Sequence, residues 1–186
     1  MPNLYIVRHG QTDYNVEKRI QGILDIPLNE NGKSQALETA NILKDYSFDV
    51  ILVSPLKRAF ETASIIQNHL NHESNLIVID DFREISRGDL NGTLLHHARE
   101  SYPKLFEDSS ESYFMRPPNG ESIDDFKKIV HSALDSVLQN YNNKNILLVT
   151  HGVTASLIHR YFEEYPNEYF FEYIPRNCEI RHYEFN

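Results

Sequence analysis

The chain is expected to fold as an α/β protein around a mainly parallel sheet. Short runs of apolar, mostly branched residues recur along it: Leu4-Tyr5-Ile6-Val7, Val50-Ile51-Leu52-Val53, Leu76-Ile77-Val78-Ile79 and Ile146-Leu147-Leu148-Val149. Such runs read as strands covered on both faces. Helical patterns alternate with them, which is the order that builds parallel sheets. No repeat, low-complexity tract or shift in composition divides the 186 residues, a length that suits one domain with a sizeable core.

The first run leads directly into Arg8-His9-Gly10. From His9 to Gly32 there is little helical or strand pattern, and long structureless connections in compact domains are usually functional or disordered. This one holds Thr12, Asn15, Arg19, Gln21 and Gly22, which are donors or tight-turn residues. Asn31 to Tyr46 then reads as a helix with Ala36, Leu37, Ala40 and Leu43 on one face. After the second run, Ser54-Pro55 has the pattern of an N-cap followed by proline at the first helical position. The helix it opens runs through Ile66 and carries Arg58 in its first turn, beside Lys57.

The third run is followed by Arg83-Glu84. Ser122 to Tyr141 has the clearest helical stripe, made by Phe126, Val130, Ala133, Leu134, Val137, Leu138 and Tyr141. Asp124 and Asp125 sit in its first turn, where the helix dipole favours them. The fourth run ends in Thr150-His151-Gly152, and a helix through Ala155, Leu157, Ile158 and Tyr161 should follow. Cys178 to Phe185 reads as a last strand, at an edge.

Lys and Arg total 18 against 27 Asp and Glu, a formal charge of −9. An acidic surface argues against nucleic acid as the main partner. An anionic ligand would have to be captured by local arginines against the overall field, which suits a small charged metabolite. No apolar run is long enough to span a bilayer, so no membrane partner is expected. The opening Met1-Pro2-Asn3-Leu4 lacks a basic start and a cleavable apolar region. Cys178 is the single cysteine, which excludes an intrachain disulfide and a zinc-type cysteine cluster. A cytoplasmic location is the expectation.

Ligands of open parallel sheets bind at the carboxyl ends of the strands. Four strand ends bring Arg8 and His9, Arg58, Arg83 and Glu84, and His151 to one edge. That set suits phosphoryl transfer. Arginine forks match phosphate oxygens. A neutral imidazole is a competent nucleophile near neutral pH. A carboxyl group can protonate a leaving alkoxide and then deprotonate water. A second histidine at a helix start can hold the phosphate beside free backbone N–H groups.

Each residue taken singly has a bland reading: His9 as a packed histidine, Arg58 as a solvated helix residue, Glu84 as a surface charge, His151 as a cap. Four hits at four strand ends outweigh those readings. His96-His97 does not suggest a metal site, because neighbours on a helix cannot both face one ion and no acidic spacing completes the set. His69, His72, His131, His159 and His182 read as structural, Cys178 as a small strand residue, and the aromatic stretch Tyr165 to Tyr173 as packing. Neither a Walker-type loop nor a dinucleotide fingerprint is present.

The same residues resemble a known family. Leu4 to Asn15, LYIVRHGQTDYN, is similar to the opening motif of the histidine phosphatase superfamily, the phosphoglycerate mutase-like proteins. The likeness continues in order through Arg19-Ile20-Gln21-Gly22, Asp25 to Asn29, Ser54 to Ala59 with Glu61-Thr62-Ala63, and Arg83-Glu84 with Gly88, Asp89 and Gly92. It ends with Pro117 to Ser122 and Val149-Thr150-His151-Gly152. The acid loop usually ends Glu-Gly, whereas this chain has Asn91-Gly92, and Asn119 stands where glycine is common.

The resemblance implies a three-layer α/β/α sandwich, one domain over residues 1–186, with a cap over the site at about residues 94–119. It implies that His9 is the phosphorylated nucleophile, that Arg8, Arg58 and His151 bind the phosphoryl oxygens, and that Asn15 and Gln21 assist, with Gly22 and Thr12 beside them. Glu84 would be acid and base, with no cofactor and no metal. Tyr102, Phe106, Tyr113, Phe114 and Arg116 are cap candidates to touch the substrate body. The chain is short beside the glycolytic mutases of this family, so the phosphatase branch is preferred, acting on a small phosphorylated metabolite. The alternatives are a 2,3-bisphosphoglycerate-dependent phosphoglycerate mutase, or an inactive phospholigand-binding protein; retention of His9, Glu84 and His151 speaks against the latter. Phosphatase activity is therefore expected to survive exhaustive EDTA treatment. Loss on chelation with recovery on adding zinc or magnesium would contradict the reading.

Overall fold

The computed structural model describes residues 3–107 and 109–185. In chain order the elements are β1 (Asn3–Arg8), α1 (Asp13–Val16), α2 (Glu30–Leu43), β2 (Val50–Val53), α3 (Lys57–Gln67), β3 (Asn75–Val78), α4 (Leu95–Ser101), α5 (Ser110–Phe114), α6 (Ile123–Asn140), β4 (Asn145–Thr150), α7 (Gly152–Phe162) and β5 (Ile180–Glu184). Short 3₁₀ turns cover Asp80–Phe82, Gly88–Leu90, Pro103–Phe106 and Asn167–Tyr173.

The five strands form one sheet in the order β3-β2-β4-β1-β5. β1 and β2 both pair parallel with β4, and β3 pairs parallel with β2. β5 closes the far edge antiparallel to β1. The central strands are buried on both faces because side chains alternate. Ile146 and Leu148 of β4 pack with Phe126, Val130 and Leu134 of α6 and Leu157 and Ile158 of α7. Leu147 and Val149 pack on the other face with Ala40 and Leu43 of α2 and Ala59, Ala63 and Ile66 of α3. The result is the three-layer α/β/α sandwich that the family resemblance implied. Among the described residues, no helix is long and apolar enough to cross a membrane.

Several local expectations change. β3 is an edge strand covered incompletely, with Ile77 and Val78 exposed, so an apolar run alone did not distinguish a central strand from an edge. Leu37 lies on the outer side of α2 and is exposed. α3 begins at Lys57 after Leu56, not at Ser54-Pro55, and the Lys57 N–H is met by Asp25 Oδ1 at 2.7 Å from the preceding loop. Cys178 lies before β5 in a turn with φ +59°, its N–H donating to Arg8 O at 2.9 Å. The His9–Gly32 connection contains α1, whose N-cap Thr12 forms a capping box with Asn15.

Ser122 caps α6 by accepting from Asp125 N–H. Asn119 has φ +55°, the left-handed region that favours glycine, and its side-chain amide donates to both carboxylate oxygens of Asp89 at 3.1 and 3.0 Å. Asparagine tolerates that conformation better than most residues, and the Asp89 contact adds a reason for its presence.

Leu148 is fully buried on the central strand, while Val78 is 44% exposed on the edge. Leu148→Ala should lower the unfolding free energy by ~2–5 kcal/mol. Val78→Ala should change it by less than ~1 kcal/mol. Urea denaturation with a constant m-value separates these outcomes.

Candidate active site

The register of β1 against β4 pairs Arg8 with Thr150, so His9 and His151 leave the sheet side by side. His9 N–H donates to Thr150 O at 2.9 Å, and the two imidazole centroids lie 5.2 Å apart. Both side chains are buried. His9 Nδ1 is 2.7 Å from Gly10 O. A carbonyl can only accept, so Nδ1 carries the proton and Nε2 keeps its lone pair. The Asn177 amide donates to His9 O at 2.9 Å and holds the strand end in place.

Arg58, from the first turn of α3, is 1% exposed, and Lys57 beside it reaches outward to Asp25. The Arg58 terminal nitrogens donate to Leu24 O at 2.6 Å and Gly22 O at 2.7 Å. Arg8 donates to Pro175 O at 2.6 Å. Each guanidinium is thus held by backbone carbonyls. A buried nitrogen remains on each, Nε of Arg8 and of Arg58, with no hydrogen-bond partner among the described residues, and His151 Nδ1 is in the same condition. Burial pushes the Arg58 pKa down to about 10, which still leaves it cationic at neutral pH. Burial also lowers Arg8, against the opposing charges of Glu84 and Glu179.

Burial, and then the charges of Arg58 and Arg8, hold the His9 pKa well below 6.5. His151 is held low by burial, Arg58, His9 and Arg8. Its Nε2 lies 2.6 Å from Ser54 Oγ, which also accepts from Leu56 N–H at 3.2 Å. The sequence reading gave Ser54 a capping role; packed against β4, it orients His151 instead.

Glu84 stands at the start of α7. Its Oε2 accepts from Val153 N–H at 3.1 Å and its Oε1 from Ile85 N–H at 2.9 Å. A carboxylate at a helix N-terminus meets free N–H groups and a favourable dipole. Arg83, expected at the same edge, does not join the site. It makes a bidentate pair with Glu121 at 2.8 and 2.9 Å, and Glu121 also accepts from Ser86 N–H at 2.7 Å, which pins the loop carrying Glu84.

Arg8, His9, Arg58 and Glu84 open into a cavity of about 390 Å³ whose lining also includes Asn15, Gln21 and Gly22, while His151 lies behind His9 and is not part of the lining. Gly22 has φ +48°, and a Cβ there would lie 2.0 Å from Asn91 Oδ1, so the close approach of the loop requires glycine. Thr12 is fully buried and does not line the cavity; its hydroxyl lies 2.9 Å from Gln21 Oε1 and 3.2 Å from Asn15 Oδ1 and orients those two amides. Of the expected cap contacts, Phe106 lines the cavity. Tyr113 is buried against Phe170, while Arg116 pairs with Asp125. Tyr102 is absent from the lining, and the side chain of Phe114 lies outside the described part. Phe171, in the stretch read as packing, lines the cavity, as do Arg87 and Arg99, which no spacing rule singled out.

The model of the histidine phosphatase superfamily (branch 1) matches residues 4–186. The chain belongs to this superfamily. The uncharacterized phosphatase PhoE of Bacillus subtilis is 39% identical over 152 residues, 82% of this chain and 72% of that one. Bacillus stearothermophilus YhfR superposes with a TM-score of 0.89 at 28% identity, covering all of this chain and 92% of the other. A mutant phosphoserine phosphatase from Entamoeba histolytica, solved with phosphoserine, superposes with a TM-score of 0.87 at 29% identity, covering 100% and 92%. In this histidine phosphatase the candidate site combines a buried imidazole, two buried guanidiniums and a carboxylate, a set that suits phosphoryl transfer.

Both buried imidazoles bind protons less readily in the folded chain than in the unfolded one, where the ordinary value is 6.5. Below that value the unfolded chain takes up protons the folded chain refuses, so stability falls as pH falls through about 6.5. The urea midpoint should drop between about pH 7.5 and 5.5, and His9→Gln should flatten that drop. An equally steep fall in the variant would mean that His9 is not held neutral.

Proposed function

We propose that the chain hydrolyses phosphomonoesters of small metabolites through a phosphohistidine on His9. The observation that carries this is the presence of three buried, unpartnered nitrogens, Arg8 Nε, Arg58 Nε and His151 Nδ1, on residues near an imidazole whose Nε2 keeps its lone pair. In the first half, Nε2 attacks phosphorus, the bond to the ester oxygen breaks, and Glu84 in its acid form gives that oxygen a proton. In the second half, water attacks the phosphorus while Glu84 takes its proton, the N–P bond breaks, and inorganic phosphate leaves. Arg8, Arg58 and His151 donate to the phosphoryl oxygens, whose charge is spread in the transition state. Asn15 and Gln21, oriented by Thr12, add donors at the rim.

Ser54 is a positioning residue in this scheme. With its hydroxyl donated to His151 Nε2, the proton sits on Nδ1, the atom left to meet the phosphate. Residues 94–119, which carry α4 and α5 and contribute Leu95, Arg99, Leu105, Phe106 and Pro117 to the cavity wall, act as the cap. The proposal places its action in the cytoplasm, a reading that the single, buried cysteine supports. PhoE, at 39% identity, supports hydrolysis, while other relatives are named phosphoglycerate mutases, and assay of 3-phosphoglycerate with and without 2,3-bisphosphoglycerate separates the two.

His9→Ala should abolish turnover without changing the fold. Arg58→Ala should lower kcat/KM by roughly 30- to 1000-fold, the ~2–4 kcal/mol of a charge-assisted contact to the transition state, while Lys57→Ala changes it little. Glu84→Gln should slow alkyl phosphates more than p-nitrophenyl phosphate, whose leaving group needs little protonation. Phosphate on His9 should then accumulate and be trappable by rapid quench and mass spectrometry. His9→Ala activity within tenfold of wild type, or equal losses on both substrate classes with no trapped phosphate, would overturn the scheme.

A further inference from the structure

The peptide that follows His9 is held at both ends by side chains from distant parts of the chain. Its carbonyl, His9 O, accepts from the Asn177 amide at 2.9 Å. Its N–H, that of Gly10, donates to Thr62 Oγ1 at 3.1 Å. Thr62 lies on α3, 52 residues from Gly10, and is fully buried. Its hydroxyl gives its own proton to Arg58 O at 2.7 Å, since a carbonyl can only accept. A lone pair is therefore left to face Gly10 N–H, and every donor in the chain of contacts meets an acceptor.

A threonine that bonds the carbonyl four residues back is common inside helices and by itself indicates only local structure. Thr62 differs because its hydroxyl takes a second bond from outside the helix, and because both groups it joins belong to the site. Arg58 stands on the same face of α3 one turn earlier, and Gly10 follows His9. One hydroxyl thus ties the backbone of Arg58 to the backbone beside the imidazole. The next carbonyl, Gly10 O, lies 2.7 Å from His9 Nδ1 and keeps the proton there, which leaves the lone pair on Nε2. Burial, Arg58 and Arg8 lower the pKa of His9, and the bond to Gly10 O opposes them. A Cβ on Gly10 would stand 2.4 Å from Gly32 O, so the segment is packed closely on that side, while Thr62 and Asn177 fix the polar ends of the peptide.

We infer that Thr62 and Asn177 are positioning residues for the nucleophile: by clamping the His9–Gly10 peptide they fix Gly10 O, and through it the tautomer and direction of the His9 imidazole. Neither residue lines the cavity, so both act through His9 and not on the substrate. The inference rests on the reading of His9 as nucleophile and extends it to groups outside the pocket.

Thr62→Val keeps the shape of the side chain and removes the hydroxyl, while Thr62→Ser keeps the hydroxyl. Asn177→Ala cuts the other end of the clamp at a half-buried position, and it decides the matter if Thr62→Val does not fold. The rate constant for phosphorylation of His9 by p-nitrophenyl phosphate is read by single-turnover rapid quench. It should fall by roughly 10- to 100-fold in Thr62→Val, the scale of leaving a buried N–H without its partner. In Asn177→Ala it should fall by roughly fivefold, the scale of one lost hydrogen bond. Substrate affinity in the same experiment should change little, and Thr62→Ser should restore most of the rate. The ring-nitrogen chemical shifts of His9 in labelled protein should show the proton on Nδ1 in wild type and Thr62→Ser, and mixed tautomers in Thr62→Val. Lower stability with the rate constant and the tautomer unchanged would mean a merely structural role and overturn the inference. If wild type forms phosphohistidine and the variants form it equally fast, the clamp falls and the hydrolytic scheme stands. If wild type forms no phosphoenzyme, the scheme falls, and the positioning role with it.

Discussion

Parallel pairing of β1 with β4 is the interaction on which the site depends. It aligns Arg8 with Thr150, and the two strands therefore deliver His9 and His151 to the same height above the sheet. A slip of one residue would point His9 toward the opposite face, because side chains alternate along a strand. The register is secured by burial on both sides: Leu4 and Ile6 belong to the cluster under α6 and α7, and Val7 to the cluster under α2 and α3. The hydrogen bond from His9 N–H to Thr150 O continues the ladder one residue beyond the strand. The packing that stabilises the fold is thus the same packing that sets the distance between the imidazoles.

Around that axis the chain buries cations without neutralising them. Arg58 is almost wholly removed from solvent yet is held by the carbonyls of Gly22 and Leu24, and Arg8 by that of Pro175. Carbonyls satisfy N–H groups but leave the net charge, so the field at the site is positive although the whole chain carries −9. The field has two consequences. It adds to burial, the larger cause, in holding the pKa of His9 and His151 low, and it suits the cavity to an anion. Glu84, the carboxylate among these cations, is held by the N–H groups of Ile85 and of Val153 at the start of α7 rather than by an ion pair with Arg8 or Arg58.

The loop bearing Glu84 shows how support outside the site controls it. The Arg83–Glu121 pair and the Glu121 contact to Ser86 N–H tie the loop to the segment before α6. Thr150 Oγ1 donates to Phe82 O and Thr154 Oγ1 to Arg83 O, which ties it to the β4–α7 corner. Neighbouring residues thus divide the work: Arg83 turns away to anchor, and Glu84 turns in.

The order of apolar runs and helical stripes determined the α/β class, and the residues following each strand marked the groups of the site, because a parallel sheet delivers its carboxyl ends to one edge. His9, Arg58, Glu84 and His151 were legible for that reason. What the tertiary structure decided lies in contacts between distant segments. Ser54 was placed against His151, 97 residues away, rather than as a helix cap. Arg83 was drawn to Glu121 instead of the pocket. β3 was left at an edge by strand order, which no local run encodes. Arg87 on its loop, Arg99 on α4 and Phe171 in the 3₁₀ turn Asn167–Tyr173 join the cavity from three separate segments. Local pattern reads the backbone period, while the direction a loop side chain faces is settled only when the elements pack together.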